Sequence, residues 1–428
     1  MSHHPLLTRW MERPWFFTLW CVLAAFGAYA CMYGFRKPFT AAGFGGAETK
    51  AWLVTAQVIG YMLSKFIGIK VIAEMTPTGR ARAFLCLIAI AHLVLLLFAI
   101  VPAPLDAVCL FLNGLALGMV FGLVLGFVEG RCMTEVFVAG LCASFILADG
   151  VSKSAGALLL QSSITERWMP FTAGLLFLAP LLVFVWMLQQ IPPPSQDDEA
   201  ARSRRTPMTA AERISLLQRH GLGLLGIVLA YLLITILRSL RADFAPEIWG
   251  GLGHASPPAV FTQSELWVTL VVVIVNGALV LVKDNRRAFF TGLLLSITGL
   301  CLGLLALWAH HQAVIPPFAF MVLLGVGMYV PYVAVHTTLF ERFIALTRER
   351  GNLGFLMYLA DAIGYLGYVG VMLAHGLFPG GGDFLGFFVI TASLLLLFAL
   401  LLMLVSVAVC FKRLPTASEE LAPAAANP

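Results

Sequence analysis

Residues 191–220, IPPPSQDDEAARSRRTPMTAAERISLLQRH, are the only long polar stretch between apolar runs in this chain of 428 residues. Six runs long enough to cross a bilayer precede it, near 15–36, 51–73, 83–101, 105–128, 133–161 and 169–191. Six more follow, near 221–246, 263–282, 288–309, 314–338, 352–376 and 384–411. Crossing takes roughly 20 apolar residues. Lipid offers no water to stray backbone groups, so each run is expected to be helical. The chain therefore reads as an all-α membrane protein of twelve transmembrane helices. Its expected organisation is an N-terminal six-helix bundle (1–190), a cytoplasmic linker (191–220), a C-terminal six-helix bundle (221–412) and a disordered cytoplasmic tail (413–428). In the linker, Thr209-Ala-Ala-Glu212 fits a capping box. Ile214, Leu216 and Leu217 then give an apolar side to a short interfacial helix leading into span 7.

Composition agrees. Apolar residues make up 60% and charged residues 11%, against about 45–50% and about 25% in a soluble chain. The mean hydropathy is +0.92. This excludes an ordinary soluble enzyme, a disordered protein and a nucleic-acid binder. The eight Cys form no CxxC pair, so no disulfide framework or zinc site is indicated. No nucleophile–base pattern, Walker loop or metal cluster is present, which points away from an enzyme and calls for no cofactor and no metal.

With both termini cytoplasmic, 19 of the 27 Lys and Arg fall in cytoplasmic segments and only Lys50 and Arg167 in outer loops, leaving six inside spans. Such a bias is what the positive-inside rule requires, and a miscount by one span would scramble it. The expected setting is a multi-pass protein of the bacterial inner membrane. Reading AFGAYAC, ending at Cys31, as a cleavage site would leave eleven spans and oppose the charge bias.

The halves repeat. Leu147-Ala148-Asp149-Gly150-Val151 in span 5 matches Leu359-Ala360-Asp361-Ala362-Ile363 in span 11, and Gly118-Met119 in span 4 matches Gly327-Met328 in span 10. Both matches set span n against span n + 6, as in transporters whose parallel halves are related by an axis along the membrane normal.

The six basic residues inside spans are Arg36, Lys37, Lys65, Lys153, Arg238 and Arg241. Each would cost about 2.5–3.5 kcal/mol at mid-bilayer if it faced lipid. Asp149 and Asp361 are the clearest intramembrane acids, with Asp243 near the end of span 7. Six bases against two or three acids leave a cationic excess, which an anionic substrate would complete. Asp149 and Lys153 stand four residues apart and can pair on one helix face. Arg36 and Lys37 are neighbours pointing about 100° apart, so one of them is expected to face the cavity. Pro38 disfavours helix at Lys37 and suggests a bend there. Arg241 could snorkel outward or pair with Asp243, while Arg238 has no carboxylate within a turn. Phosphate suits guanidinium forks, and one Arg from each half would clamp it from both sides.

These residues carry a family resemblance. YGFRKPFTAAGF (33–44) and YMLSKFIGIKVIAEMTPTGRARAF (61–84) resemble the organophosphate:phosphate antiporters of the major facilitator superfamily, which have an RK pair in span 1 and an SKF run in span 2. LRSLRADFAPEIW (237–249) is similar to that family's LRxxxxDxxP run, through Arg238, Asp243 and Pro246, and Gly364–Gly367 to its GYLG. The resemblance implies the major facilitator fold and exchange of a phosphorylated metabolite for phosphate or protons. It also implies that Arg36 and Arg238 hold the phosphate and that Lys65 assists. There is a departure: where the family has His-Asn in span 5, this chain has Asp149-Gly150. A carboxylate there repels phosphate unless it is paired or protonated, and hints at proton coupling.

The expected binding set is Arg36, Lys37, Lys65, Lys153, Arg238, Arg241, Tyr33 and Tyr329; Tyr61, Tyr332, Tyr358 and Tyr365 are further hydroxyl donors. Asp149, Asp361 and His336 are the proton-coupling candidates. Glu74, Arg80 and Arg82, with Asp284, Arg286 and Arg287 in the matching loop, read as inner-gate or topology charges. Gly118, Gly122 and Gly126 read as a helix-packing stripe. His3-His4 and His310-His311 read as loop residues. The expected partners are a small anionic substrate and the lipid bilayer, with the chain monomeric and no nucleic acid bound. The alternative functions are a transporter-like membrane sensor of a phosphorylated ligand and proton-coupled carboxylate uptake through Asp149 and Asp361.

Overall fold

The computed structural model describes residues 10–129, 131, 134–195, 198, 210–253, 257–347, 353–377 and 383–413. Among them, ten helices are long and apolar enough to cross a membrane. The remaining two spans are Ala47–Glu74, enriched in charge by Lys50, Lys65 and Lys70, and Leu353–Leu377, whose apolar part is Ala360–Ala374. The fold is all-helical, with twelve spans in two six-helix halves.

The N-terminal half comprises Pro14–Tyr33, Ala47–Glu74, Pro77–Ile100, a broken fourth span (Leu105–Leu117 and Val120–Val128), Thr134–Gln161 and Met169–Gln189. The C-terminal half comprises Ala210–Asp243, Ala259–Val280, Asn285–His311, a tenth span running Pro317–Ala334 into a π turn Val335–Leu339 and on to Phe340–Thr347, then Leu353–Leu377 and Phe384–Arg413. Proline opens spans 1, 3, 6 and 10, a position where its missing N–H and fixed φ are harmless. Asp284 caps span 9 by accepting from Arg287 N at 2.6 Å. The expected linker helix is not separate: a single helix runs from Ala210 to Asp243. Thr209 of the capping box, linker residues 196, 197 and 199–208, and the tail beyond Arg413 lie outside the described residues.

Burial separates inner from outer spans. Of the most apolar window, 78% is buried in span 10 and 72% in spans 4 and 5, but only 28% in spans 6 and 12. The first group therefore faces protein and the second faces lipid. Span 5 packs along span 8 and span 2 along span 11, and these contacts join the halves. A Cβ at Gly150 would sit 2.3 Å from the Phe261 carbonyl oxygen, so span 5 approaches span 8 as only glycine allows. Nearby, Ser154 donates to Pro258 O at 2.6 Å and lies 2.7 Å from Thr262 Oγ1.

Within each half a glycine crossing sets the spacing, but with different partners. Span 4 closes on span 2, where a Cβ at Gly114 would lie 2.0 Å from Gln57 O and one at Gly118 2.5 Å from Tyr61 O. Span 10 closes on span 9, where a Cβ at Gly327 would lie 2.6 Å from Gly303 N. Gly118 thus packs helices as expected, while Gly126 faces the Arg80 side chain.

Candidate substrate-binding site

Span 1 ends at Tyr33, three residues earlier than expected, and Arg36 and Lys37 lie in a tight bend before the 3-10 turn Pro38–Ala41. The amides of Arg36 and Lys37 both bond Tyr33 O, at 3.0 and 2.8 Å. Lys37 remains in the helical region (φ −101°, ψ −21°), so the bend is not the proline effect expected. The carbonyls freed by the break are met from the side. Asn113 Nδ2 donates to Phe35 O (3.1 Å) and Ala91 O (3.2 Å), and Gln57 Nε2 to Arg36 O (3.1 Å) and Asn113 Oδ1 (2.8 Å). Both amides are buried, and buried carbonyls need such partners. Gln57 and Asn113, which sequence reasoning missed, fix where Arg36 starts. A polar residue inside an apolar run was their only signal.

Four of the six spanning bases hold a carboxylate. Lys37 pairs with Asp243, whose other oxygen accepts from Tyr368 Oη at 3.0 Å. Lys65 pairs with Asp361, and Lys153 with Asp149 on its own helix, as the spacing suggested. Arg241 neither snorkels nor reaches Asp243: its Nη1 bonds Glu265 Oε1 at 2.6 Å and its Nη2 bonds Met321 O at 3.0 Å. Glu265 was overlooked in weighing bases against acids, although a carboxylate inside span 8 is the same signal. Lys50 is not a loop charge either. It is buried in span 2, 2.6 Å from both Glu247 Oε1 and Thr40 O.

Arg36 and Arg238 have no carboxylate at salt-bridging distance among the described residues. The Arg36 guanidinium lies 3.7 Å from the Tyr61 ring centroid and 5.9 Å from that of Tyr365. Arg238 Nη2 donates to Tyr365 Oη at 2.9 Å, and its guanidinium lies 4.8 Å from the Tyr332 centroid and 5.8 Å from that of Tyr365. The Nε–H of each arginine is buried with no partner. One tyrosine ring therefore stands between two uncompensated guanidiniums, one from each half.

They line a small cavity shared with Tyr33, Lys37, Asp149 and Tyr329. Arg36 and Lys37 both reach it, contrary to the expectation that one would. A small adjoining cavity shares Tyr33, Arg238 and Tyr365 and adds Lys65, His336 and Asp361. Lys153 and Arg241, expected to bind, line neither: each is held by its own acid. The inner-loop charges lie elsewhere. Arg80 donates to Gly126 O, Asp284 caps its helix, Arg286 stacks over Phe290 and Phe411, and Arg82 and Arg287 are exposed. The side chains of Glu74 and Tyr358 lie outside the described residues.

A family of unknown function, DUF5690, matches residues 37–413. No curated protein matches. Among solved structures, a mutant of the nucleoside transporter NupG superposes with a TM-score of 0.59 at 13% identity, covering 92% of this chain and 99% of that one. The D-xylose-proton symporter superposes with a TM-score of 0.53 at 14% identity, covering 90% and 96%. These likenesses are of fold, and the fold is that of the major facilitator transporters.

Proposed function

The chain belongs to the DUF5690 family and has the major facilitator fold, and from that premise we propose a secondary active transporter of a small organic anion, with Arg36 and Arg238 clamping the anion between the two halves. One observation carries this reading: of the six spanning bases, these two alone lack a carboxylate among the described residues, and they converge on one cavity from opposite halves. Burying a charge costs several kcal/mol per ion even after relaxation. A desolvated cation–π contact returns about 2 kcal/mol, so the tyrosines around each guanidinium offset only part of that. A bound anion supplies the remainder.

Two guanidiniums match the charge of a phosphate dianion and can grip its oxygens bidentately, which ammonium cannot. Asp149 is no obstacle, since Lys153 neutralises it, and its Oδ1 is buried without a donor. That oxygen suits a hydroxyl on the organic part of the substrate. The reading is of a phosphorylated metabolite moved by rocking of the halves about a central site, in the bacterial inner membrane, exchanged for phosphate or driven by protons.

Counterflow of labelled inorganic phosphate in proteoliposomes tests it. Arg36→Lys and Arg238→Lys each keep the charge but lose the fork, and each is expected to lower counterflow on the order of 10²-fold, a loss of about 3 kcal/mol, in keeping with charge-assisted bonds. Wild-type counterflow in both variants would overturn the clamp.

A further inference from the structure

The second cavity holds a buried cluster that the clamp does not use. Tyr231 of span 7 donates its hydroxyl hydrogen to Asp361 Oδ1, and Asp361 Oδ2 accepts from Lys65 of the other half. The Tyr231 oxygen lies 2.6 Å from His336 Nε2. A tyrosine has one O–H to give, so the His336–Tyr231 bond is donated by Nε2–H. His336 Nδ1 is then a bare acceptor, buried and without a partner. His336 also sits in the π turn Val335–Leu339, a local irregularity that recurs at functional sites.

We infer that Asp361 is the site where this protein takes up and releases a coupling proton, delivered from His336 through Tyr231, and that protonating it breaks its ion pair with Lys65 and loosens the joint between the halves. The inference rests on the transporter reading above and adds its driving ion. A proton from water adds to His336 Nδ1 as Nε2–H passes to the Tyr231 oxygen and the Tyr231 hydrogen passes to Asp361. His336 ends neutral with its hydrogen on Nδ1, Tyr231 is again a phenol, and Asp361 is a carboxylic acid. The pocket has gained one positive charge.

Every element packed around Asp361 bears on that gain. Lys65 and Tyr61 face it from span 2 and Arg238 from span 7. Tyr332 comes from span 10, 3.4 Å from Oδ1, Cys142 from span 5 and Tyr365 from the same helix. Among these described groups, only Lys65 and Arg238 are charged, both positively. Protonation therefore removes the negative charge opposite Lys65 and Arg238 and draws an anion into the adjoining cavity, so proton and anion travel together. Asp149 has no such leverage, because its partner Lys153 is on its own helix.

The full chain in lipid bilayers supplies two tests. Without any substrate, the infrared carbonyl band of protonated carboxylic acids is recorded on titration from neutral to acid pH. The expectation is a component present in the wild type, missing in Asp361→Asn and displaced in midpoint in His336→Gln. Identical wild-type and Asp361→Asn spectra would overturn the proton site. In proteoliposomes, uptake of labelled inorganic phosphate driven by an inward proton gradient is compared with counterflow at equal pH. Tyr231→Phe, which keeps the ion pair, is expected to lose gradient-driven uptake about 10²-fold, the usual worth of a proton-transfer group, while counterflow persists. Gradient-driven uptake that survives in both Tyr231→Phe and Asp361→Asn would also overturn the inference. A wild type that moves no phosphate in either mode would refute the anion reading instead, and the infrared titration would still decide the proton site.

Discussion

Among the described residues of the N-terminal half, five buried cations along the spans and the bend after span 1 (Arg36, Lys37, Lys50, Lys65 and Lys153) face a single buried carboxylate, Asp149. In the C-terminal half the proportions reverse, with Asp243, Glu265 and Asp361 buried and Glu247 part-buried, against Arg238 and Arg241. Two bundles of one architecture therefore carry opposite surpluses. Three ion pairs settle the difference, Lys37–Asp243, Lys50–Glu247 and Lys65–Asp361, each with its cation from the first half and its acid from the second. Neither half can neutralise itself, so charge as well as packing holds them together, and what remains after pairing is the two arginines of the cavity. By helix rise, Lys65 lies about 22 Å along span 2 from Lys50, so the joint runs from one end of the bundle to its middle.

The sharpest way to break this comparison is to remove one side of a cross-half pair. Lys37→Met strands Asp243 in the interior and is expected to lower stability by about 3–5 kcal/mol, whereas Lys37→Met with Asp243→Leu regains most of it. Thermal unfolding of the purified protein measures both, and equal damage from single and double variants would show that the pair does not join the halves. A smaller effect is expected at the bend that presents Arg36. Asn113→Ala leaves the Phe35 carbonyl unmet, at about 1–3 kcal/mol, and should weaken the apparent affinity for phosphate more than the maximal rate of counterflow. The smallest effect belongs to the part-buried pair Arg167–Asp106 at the rim, 3.6 Å apart. Asp106→Asn should shift stability by less than about 1 kcal/mol and vanish into the salt dependence, which marks the scale against which the buried pairs stand out.

Much of this was legible in the chain. Twelve apolar runs, the break after the sixth and the internal repeat gave the fold class, because a bilayer imposes length and hydrogen-bond closure on each segment separately. The same reasoning picked out Arg36, Arg238, Lys65 and Asp361 as charges that need an explanation. It failed where the answer depended on a distant partner. Arg241 was offered the acid two residues away and took Glu265 from span 8. Lys50 looked like a loop residue because its acid, Glu247, belongs to the other half. The Gly118 and Gly327 repeat held in sequence, yet one closes on span 2 and the other on span 9.

The sequence by itself determined that this protein lives in a membrane, how many times it crosses and which charges are out of place there, since the energy of each residue in lipid depends on that residue and its own helix. Only the tertiary structure decided which of those charges are satisfied. Pairing depends on which helices meet and at what depth, and the surplus at Arg36 and Arg238 exists only once every other spanning base has found its acid.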